Sequence, residues 1–219
     1  MGTKKASLPD LNKTEGRRGT ALVLGASGYV GGNLVPYLVQ QGWQVRAAAR
    51  NPAVLEAREW DGVELVRADA LDPDSLRDAL AGADVAFYLV HSMASGAEFG
   101  QIDLQAADNF ATAAAAAGVC RIVYLGGLVP GDDAGEHIDS RRQTGDVLRQ
   151  GPVPVTEVRA GIIVGPGSAA FEVMRDLTLN LPVLVTPRWV RATSPPIALP
   201  NGLEDLDALS RVEDPARKV

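Results

Sequence analysis

Three glycines with a spacing of three residues follow an apolar run near the start of the chain, in the stretch ALVLGASGYVGG. Gly25 permits a tight turn, Gly28 lets the backbone approach a bound pyrophosphate, and Gly31 lets a helix pack closely on a strand. A helix that begins here presents N–H groups and its positive dipole end to an anion. This GxxGxxG pattern predicts a nucleotide-binding corner, and the alternative is a tight strand-to-helix turn with nothing bound.

Charged residues after the second and third apolar runs indicate which dinucleotide the corner would bind. An NAD site usually has Asp or Glu at the end of the second strand, whereas an NADP site has Arg for the 2′-phosphate. This sequence has Arg50 there, with Arg46 four residues earlier, and the nearest acid is Glu56. The pattern favours NADP(H), with NAD(H) as the second candidate, and the alternative is that both arginines are solvated surface charges. Asp69, after the third run, is either an acceptor for the adenine amino group or a surface carboxylate.

Short apolar runs alternate with helical patterns along most of the chain, which is typical of a parallel sheet with crossover helices. The predicted strands are TALVLG, WQVRAAAR, VELVRAD, DVAFYLV, CRIVYLGGL and VPVTEVRAG. The predicted helices cover Tyr29 to Gln41, LDPDSLRDALAGAD, Phe99 to Ala117 and HIDSRRQTGDVLRQG. Because the strands are almost continuously apolar, the sheet should be buried on both faces. We therefore expect an α/β fold, a Rossmann-type doubly wound parallel sheet.

The pattern is less regular after Gly161, where one further helix is predicted from Ser168 to about Asn180. Five prolines, at positions 182, 187, 195, 196 and 200, are expected in connections, since proline fits poorly inside a ladder or helix. The final segment EDLDALSRVEDPARKV is expected to form one short helix at most. We expect a flexible tail over 1–19 and a single NAD(P)-binding domain over 20–219.

Composition excludes several classes of protein. The 219 residues carry a formal net charge of −6 and form no basic stripe, which argues against a nucleic-acid-binding surface. The single cysteine, Cys120, excludes internal disulfides and multi-thiolate metal sites, and no metal is expected. The sequence has neither the apolar core of a signal peptide nor the ~20 apolar residues of a membrane span. We expect a cytoplasmic protein, monomeric or homodimeric, without a nucleic-acid partner.

Four segments resemble the atypical short-chain dehydrogenase/reductase superfamily, in particular its NAD(P)H-binding, NmrA-like and epimerase-like branch. They are GASGYVGGNLVPYL, YLVHSM, AADNFATAAAAAGVCRIVYLGGL and RAGIIVGPGSAAFE. The resemblance covers about Thr20 to Gly202. It implies pyrophosphate contacts at Gly25, Ser27, Gly28, Tyr29 and Val30, a 2′-phosphate contact at Arg50, adenine contacts at Asp69 and Ala70, and ribose contacts at Leu89, Val90 and His91. It also implies a further C-terminal domain after RWVRATSPPIAL, whereas this sequence ends soon after, so a short or truncated substrate-side region is expected.

The resemblance also shows where the catalytic residues differ. Active members carry Ser or Thr after the fifth strand and a Tyr-x-x-x-Lys motif on the next helix, whose tyrosine gives a proton to the carbonyl. This strand ends in Gly126 and Gly127, and the helix has His137 and Arg141 at the same spacing. Residues four apart share one helix face, and histidine transfers protons near neutral pH. His137 and Arg141 are therefore the candidate catalytic pair, and the alternative is a surface histidine at a helix start.

Two classes of function remain. The first is an NADP-dependent oxidoreductase or isomerase acting on an unknown small carbonyl, epoxide or quinone-like substrate, with His137 and Arg141 as the proton and charge pair. The second is a non-catalytic NADP(H)-binding module with a redox-sensing or regulatory role, which accounts directly for the missing Ser and Tyr. His91 is either a residue lining the carboxyl edge of the sheet or a polar end to the fourth strand.

Overall fold

The main element of the fold is a parallel sheet. The computed structural model describes residues 18–91, 97–128, 136–180 and 195–211, without the side chains at 97–99, 136–139 and 170. In these ranges six strands pair in the order β3-β2-β1-β4-β5-β6. Their bounds are β1 Thr20–Leu24, β2 Gln44–Ala49, β3 Val63–Arg67, β4 Val85–Tyr88, β5 Arg121–Gly127 and β6 Val155–Ala160. From β1 the chain adds β2 and β3 on one side of the sheet and then β4, β5 and β6 on the other, as in doubly wound dinucleotide-binding sheets. The predicted fold class is confirmed.

Helices cover both faces of the sheet. Their bounds are α1 Tyr29–Gln40, α2 Ala53–Glu56, α3 Pro73–Leu80, α4 Ala97–Ala116, α5 Glu136–Gln150, α6 Ala169–Asn180 and α7 Leu199–Ser210. Successive strand residues point to opposite faces. Leu22 and Tyr88 accordingly belong to one buried cluster with α3, α4 and α5, whereas Val23 and Phe87 belong to a second cluster with α1 and α7. The continuous apolar strands of the sequence thus supply two separate cores.

The segment after β6 is more regular than the sequence predicts. Ile162–Val164 forms β7, which pairs in parallel with β8, Pro196–Ala198. The expectation that Pro196 and Pro200 lie outside regular elements is wrong, because Pro196 begins β8 and Pro200 stands in the first turn of α7. A proline at either position removes no N–H that the ladder or helix requires. The positions 182 and 187 lie outside the described residues.

The last described helix, α7, has 12 residues and is part of the core, whereas the sequence predicts one short helix at most. It begins at Leu199, before the acidic segment in which a helix is predicted, and buries Leu199, Leu203 and Leu206 against the face that carries α1. Its Asp207 is 1% exposed. The carboxylate of Asp207 accepts a hydrogen bond from Trp43 Nε1 at 2.8 Å.

Two arginines complete the surroundings of that carboxylate. Asp207 Oδ2 lies 2.8 Å from Arg211 Nη2 and 3.4 Å from Arg18 Nη1. The backbone N–H of Arg18 also donates to the carbonyl of Gly42 at 3.2 Å. Arg18, which falls within the predicted tail, is therefore bonded both to α7 and to the turn before β2.

We expect Asp207→Ala to lower the free energy of unfolding by about 1–3 kcal/mol, because the buried indole N–H of Trp43 loses its acceptor. Urea denaturation followed by circular dichroism measures the change. Asp205→Ala is the matched control, since Asp205 is an exposed aspartate on the same helix, and it should shift stability by less than about 0.5 kcal/mol. Equal losses in the two variants would show that the Asp207 contacts contribute little.

Candidate functional site

A cleft of about 890 Å³ opens where the carboxyl ends of the sheet strands meet. Ligands of open α/β sheets bind at this edge, next to the reversal in strand order, and ligand clefts commonly measure about 300–1,000 Å³. The residues predicted to contact the cofactor all line it: Gly25, Ser27, Gly28, Tyr29, Val30, Gly31, Arg50, Asp69, Ala70, Leu89, Val90 and His91. The fold therefore brings together segments from four strand ends that are distant in sequence.

The glycine corner between β1 and α1 forms the floor of the cleft. Gly25 has a φ of +95°, which favours glycine, and its carbonyl accepts from the N–H of Gly28 at 3.0 Å. A Cβ at Gly31 would lie 2.8 Å from the carbonyl carbon of Gly25, which is too close for any side chain. A Cβ at Gly28 would meet only the Gly25 oxygen, at 3.3 Å. Gly25 and Gly31 are thus required by the backbone, whereas Gly28 leaves space towards the cleft.

The first turn of α1 has no acceptor of its own. Gly28 is the N-cap, no side chain caps the helix, and its first turn contains no acidic residue. In α3, by contrast, the carboxylate of Asp72 accepts from the N–H of Ser75 at 3.3 Å. The N–H groups and positive dipole end of α1 therefore remain available to an anionic ligand in the cleft.

Arg46, in β2, and Arg50, directly after β2, have different surroundings. Arg46 pairs with Glu64 at 2.9 Å and donates to the carbonyl of Ala79 at 2.6 Å, which joins β2 to β3 and α3. Arg46 is not among the residues lining the cleft. Arg50 is exposed at the rim of the cleft, and none of the described carboxylates forms an ion pair with it. Of the two, Arg50 is placed to contact a ligand.

The loop after β3 closes the same end of the cleft. Asp69 Oδ1 accepts from the N–H of Leu71 at 3.0 Å, which shapes a tight turn. The side-chain amide of Asn109, on α4, donates to the carbonyl of Ala70 at 3.0 Å. Helix α4 therefore fixes the position of the two residues predicted to contact adenine.

At the opposite end of the cleft, Arg141 from α5 meets His91 from the end of β4. Arg141 Nη2 lies 3.2 Å from Nδ1 and 3.3 Å from Nε2 of the imidazole. A Cβ at Gly127 would lie 3.2 Å from Arg141 Nη1, so the guanidinium occupies the space beside this glycine. The phenol of Tyr124 donates to the Arg141 carbonyl at 2.9 Å and holds the helix against β5.

The sequence pairs Arg141 with His137, whereas the described contact is with His91. The backbone of His137 lies in α5, but its side chain is outside the described residues, so the His137–Arg141 pair stays a prediction. No local pattern links positions 91 and 141, which come from different elements. The spacing along α5 predicts only which residues share a helix face.

Two further residues of this region were not predicted from the sequence to belong to the site. Tyr88 and Asp103 line the cleft, and Asp103 Oδ2 accepts from Ser140 Oγ at 3.3 Å. Burial, helped by the charge of Asp103, raises the pKa of Tyr88 well above its ordinary value. Burial also raises the pKa of Tyr124 to about 12, although the positive charge of Arg141 opposes this shift. Both phenols therefore stay protonated at neutral pH, unlike the low-pKa tyrosine of an ordinary reductase.

A family model described as "NAD(P)H-binding" matches residues 25–175. The chain belongs to this family. The match confirms the family predicted from the sequence, and it contains the glycine corner, Arg50 and Arg141.

Several curated relatives that match the chain are named as reductases. Cinnamoyl-CoA reductase 1 of Oryza sativa subsp. japonica is 32% identical over 120 residues, which cover 52% of this chain and 36% of the relative. The (4-alkanoyl-5-oxo-2,5-dihydrofuran-3-yl)methyl phosphate reductase of Streptomyces griseus is 32% identical over 182 residues, which cover 79% and 61% respectively. The chain thus spans about a third to three fifths of these relatives' lengths.

Solved structures share the fold. The Bordetella bronchiseptica enzyme WbmG in complex with NAD has a TM-score of 0.75 at 19% identity, with 91% of this chain and 71% of that chain covered. The Citrobacter sp. triphenylmethane reductase in complex with NADP(H) has a TM-score of 0.59 at 22% identity, with 74% and 54% covered. Identity at this level shows a common fold and no more.

Two kinds of feature are absent from the described ranges. None of their helices is both long enough and apolar enough to cross a membrane. Among the same residues, no group of three or more His, Cys, Asp or Glu side chains could hold a metal ion.

We expect Gly31→Ala to lower the free energy of unfolding by about 1–3 kcal/mol, because the added methyl group collides with the Gly25 backbone. Gly100→Ala is the matched control, since a Cβ there has no atom within 4 Å and alanine in a helix is favoured over glycine by about 0.5–1 kcal/mol. Chemical denaturation of both variants measures the difference. A Gly31→Ala protein as stable as the wild type would contradict the close contact of α1 with the β1 turn.

Proposed function

We propose that the chain binds NADP(H) in the cleft and acts as an NADP-dependent oxidoreductase on a small carbonyl- or quinone-like substrate. The observation that carries the proposal is the placement of three features along one sheet edge: the uncapped glycine corner, Arg50 at one end and Arg141 at the other. The family match and the reductase relatives support the same conclusion.

The residues present fit such a cofactor. In this proposal the backbone of Gly25, Ser27, Gly28, Tyr29 and Val30 holds the pyrophosphate, Asp69 and Ala70 contact adenine, and Leu89, Val90 and His91 contact the ribose side. Arg50 binds the 2′-phosphate, and its lack of a carboxylate partner among the described residues supports this role. The Citrobacter neighbour in complex with NADP(H) is consistent with that choice, whereas the NAD complex of WbmG keeps NAD(H) as the second candidate.

The proposed chemistry uses residues at the Arg141 end. A bound reduced cofactor supplies hydride to the substrate carbonyl carbon, and the carbonyl oxygen then needs a proton. His137 donates that proton, and Arg141, one helical turn further along α5, stabilises the negative charge that develops on the oxygen. The high pKa of Tyr88 and Tyr124 supports assigning the proton transfer to a histidine rather than to either phenol.

The second candidate function is a non-catalytic NADP(H)-binding module with a redox-sensing or regulatory role. A specific observation favours it: a Cβ at Gly126 would lie 2.6 Å from Glu157 Oε1. Glu157 is itself held by Arg149 at 2.6 Å and Arg159 at 3.1 Å. A serine at position 126 would therefore require the ion-paired carboxylate of Glu157 to shift, which disfavours the usual hydroxyl at this position.

The surroundings of the protein are part of the same proposal. The proposed partners are a small-molecule substrate and at most a second copy of the chain. The net charge of −6 supports the absence of a nucleic-acid partner. The single cysteine, Cys120, supports a cytoplasmic location, where disulfides are rare.

We expect Arg50→Ala to weaken NADPH binding about ten- to hundredfold and to leave NADH binding nearly unchanged, because only NADPH loses a charged hydrogen bond. Isothermal titration of both nucleotides measures the effect. Arg77→Ala, which removes an exposed arginine from α3, is the control for net charge. Equal affinities of the wild type for NADPH and NADH would refute the assignment of Arg50.

We expect His137→Ala to reduce turnover by about 10²–10⁴-fold while NADPH affinity stays within about twofold, since the residue acts on the substrate proton and not on the nucleotide. The assay follows NADPH oxidation at 340 nm with carbonyl and quinone acceptors. An alanine variant with normal turnover would exclude His137 as the acid. A wild-type protein that binds NADPH and reduces no acceptor would favour the binding module.

A further inference from the structure

Arg141 is a partly buried cation without a carboxylate partner in the described part of the chain. Several other described arginines of this acidic protein have such partners, whereas Arg50 does not: Arg149 and Arg159 pair with Glu157, and Arg211 pairs with Asp207. Removing a charge from water is unfavourable unless a counter-charge or hydrogen bonds compensate. The cleft therefore contains a guanidinium that forms no ion pair with any described carboxylate.

The hydrogen bonds of the Arg141 guanidinium are also incomplete. Its Nη2 contacts His91, while its Nε is buried and has no acceptor. A guanidinium only donates hydrogen bonds, so the imidazole accepts through an unprotonated nitrogen and adds no negative charge. Asp103 lines the same cleft, but its described contact is with Ser140 and not with Arg141.

The cleft that contains this cation has apolar and polar residues in its lining. Its apolar and small residues include Ile102, Leu125, Ile162 and Ile163, together with Gly126 and Gly161, and its polar side chains include Asp103. Such a lining suits the hydrocarbon part of a small ligand, and the planar fork of the guanidinium matches the two oxygens of a carboxylate. The combination selects a molecule with an apolar body and one carboxylate.

We infer that Arg141, supported by His91, binds a carboxylate of the substrate, which makes the substrate class a small apolar carbonyl acid. This inference rests on the proposed function, in which NADP(H) fills the glycine-corner end of the same cleft. It goes beyond that function because it gives the guanidinium a substrate group to recognise in addition to the developing charge on the carbonyl.

Benzoate and benzamide test the inference, because they have the same ring and nearly the same shape but differ in charge. Isothermal titration of the NADPH-saturated protein should show benzoate binding about ten- to hundredfold more tightly than benzamide, the range expected for charged hydrogen bonds. Arg141→Gln should abolish this preference. Arg141→Lys, which keeps the positive charge, should retain part of the preference for benzoate. A retained preference would show that substitution at position 141 does not unfold the protein.

Arg142→Gln is the matched control, since Arg142 is an exposed neighbour on α5 that does not line the cleft, and its loss changes the net charge equally. This variant should bind benzoate like the wild type. The inference is overturned by equal affinities for benzoate and benzamide, by no benzoate binding, or by a preference that persists in Arg141→Gln. It is also overturned if Arg141→Gln weakens NADPH binding tenfold, since the guanidinium would then pair with the cofactor.

Separate titrations distinguish failure of the cofactor proposal from failure of the carboxylate proposal. Titration of the wild type with NADPH alone tests the proposed function, and both aromatic ligands are titrated with and without NADPH. A failed NADPH titration with a benzoate preference that depends on Arg141 would refute the cofactor proposal and support the carboxylate site. Normal NADPH binding without a benzoate preference that depends on Arg141 would refute the carboxylate site alone.

Discussion

The close approach of α1 to the turn after β1 is the constraint on which the cleft depends. There is no room for a Cβ at Gly31 beside the backbone of Gly25, so the helix can begin only where it does. This position brings the uncapped first turn of α1 to the carboxyl edge of the sheet, beside the ends of β2 and β4. A side chain at Gly31 would move the helix away and separate its N–H groups from the other cleft residues.

The two hydrophobic clusters keep that edge in place. Because alternate residues of β1 and β4 point to opposite faces, each strand anchors helices on both sides of the sheet. On one side α7 packs beside α1, and the buried carboxylate of Asp207 accepts a hydrogen bond from Trp43, directly before β2. On the other side Asn109 of α4 holds the loop at Ala70. The ends of the strands are therefore supported by residues outside the cleft.

The distribution of charge divides the arginines into two groups. Arg46 and Arg149 form ion pairs that join strands and helices of the sheet, whereas Arg50 and Arg141 lie at opposite ends of the cleft without carboxylate partners among the described residues. Anions that bind between them would meet a positive charge at each end and the dipole of α1 in the middle. This arrangement relates the phosphorylated cofactor and the proposed carboxylate substrate to a single electrostatic feature of the fold.

The sequence alone was sufficient to predict the fold class, the glycine corner and the position of Arg50 after the second strand, because these follow from the pattern of consecutive segments. A strand, a glycine turn and a helix are consecutive in the chain, and Arg50 follows the end of the adjacent strand. The contact of Arg141 with His91 depended on the tertiary structure, since it requires α5 to pack across β5 onto the end of β4. The tertiary structure also decided that Arg46 pairs with Glu64, away from the cleft, whereas Arg50 lines the cleft. Regular structure at Pro196 and Pro200 was also missed, because whether a missing N–H matters depends on the pairing partner and on the position within the helix.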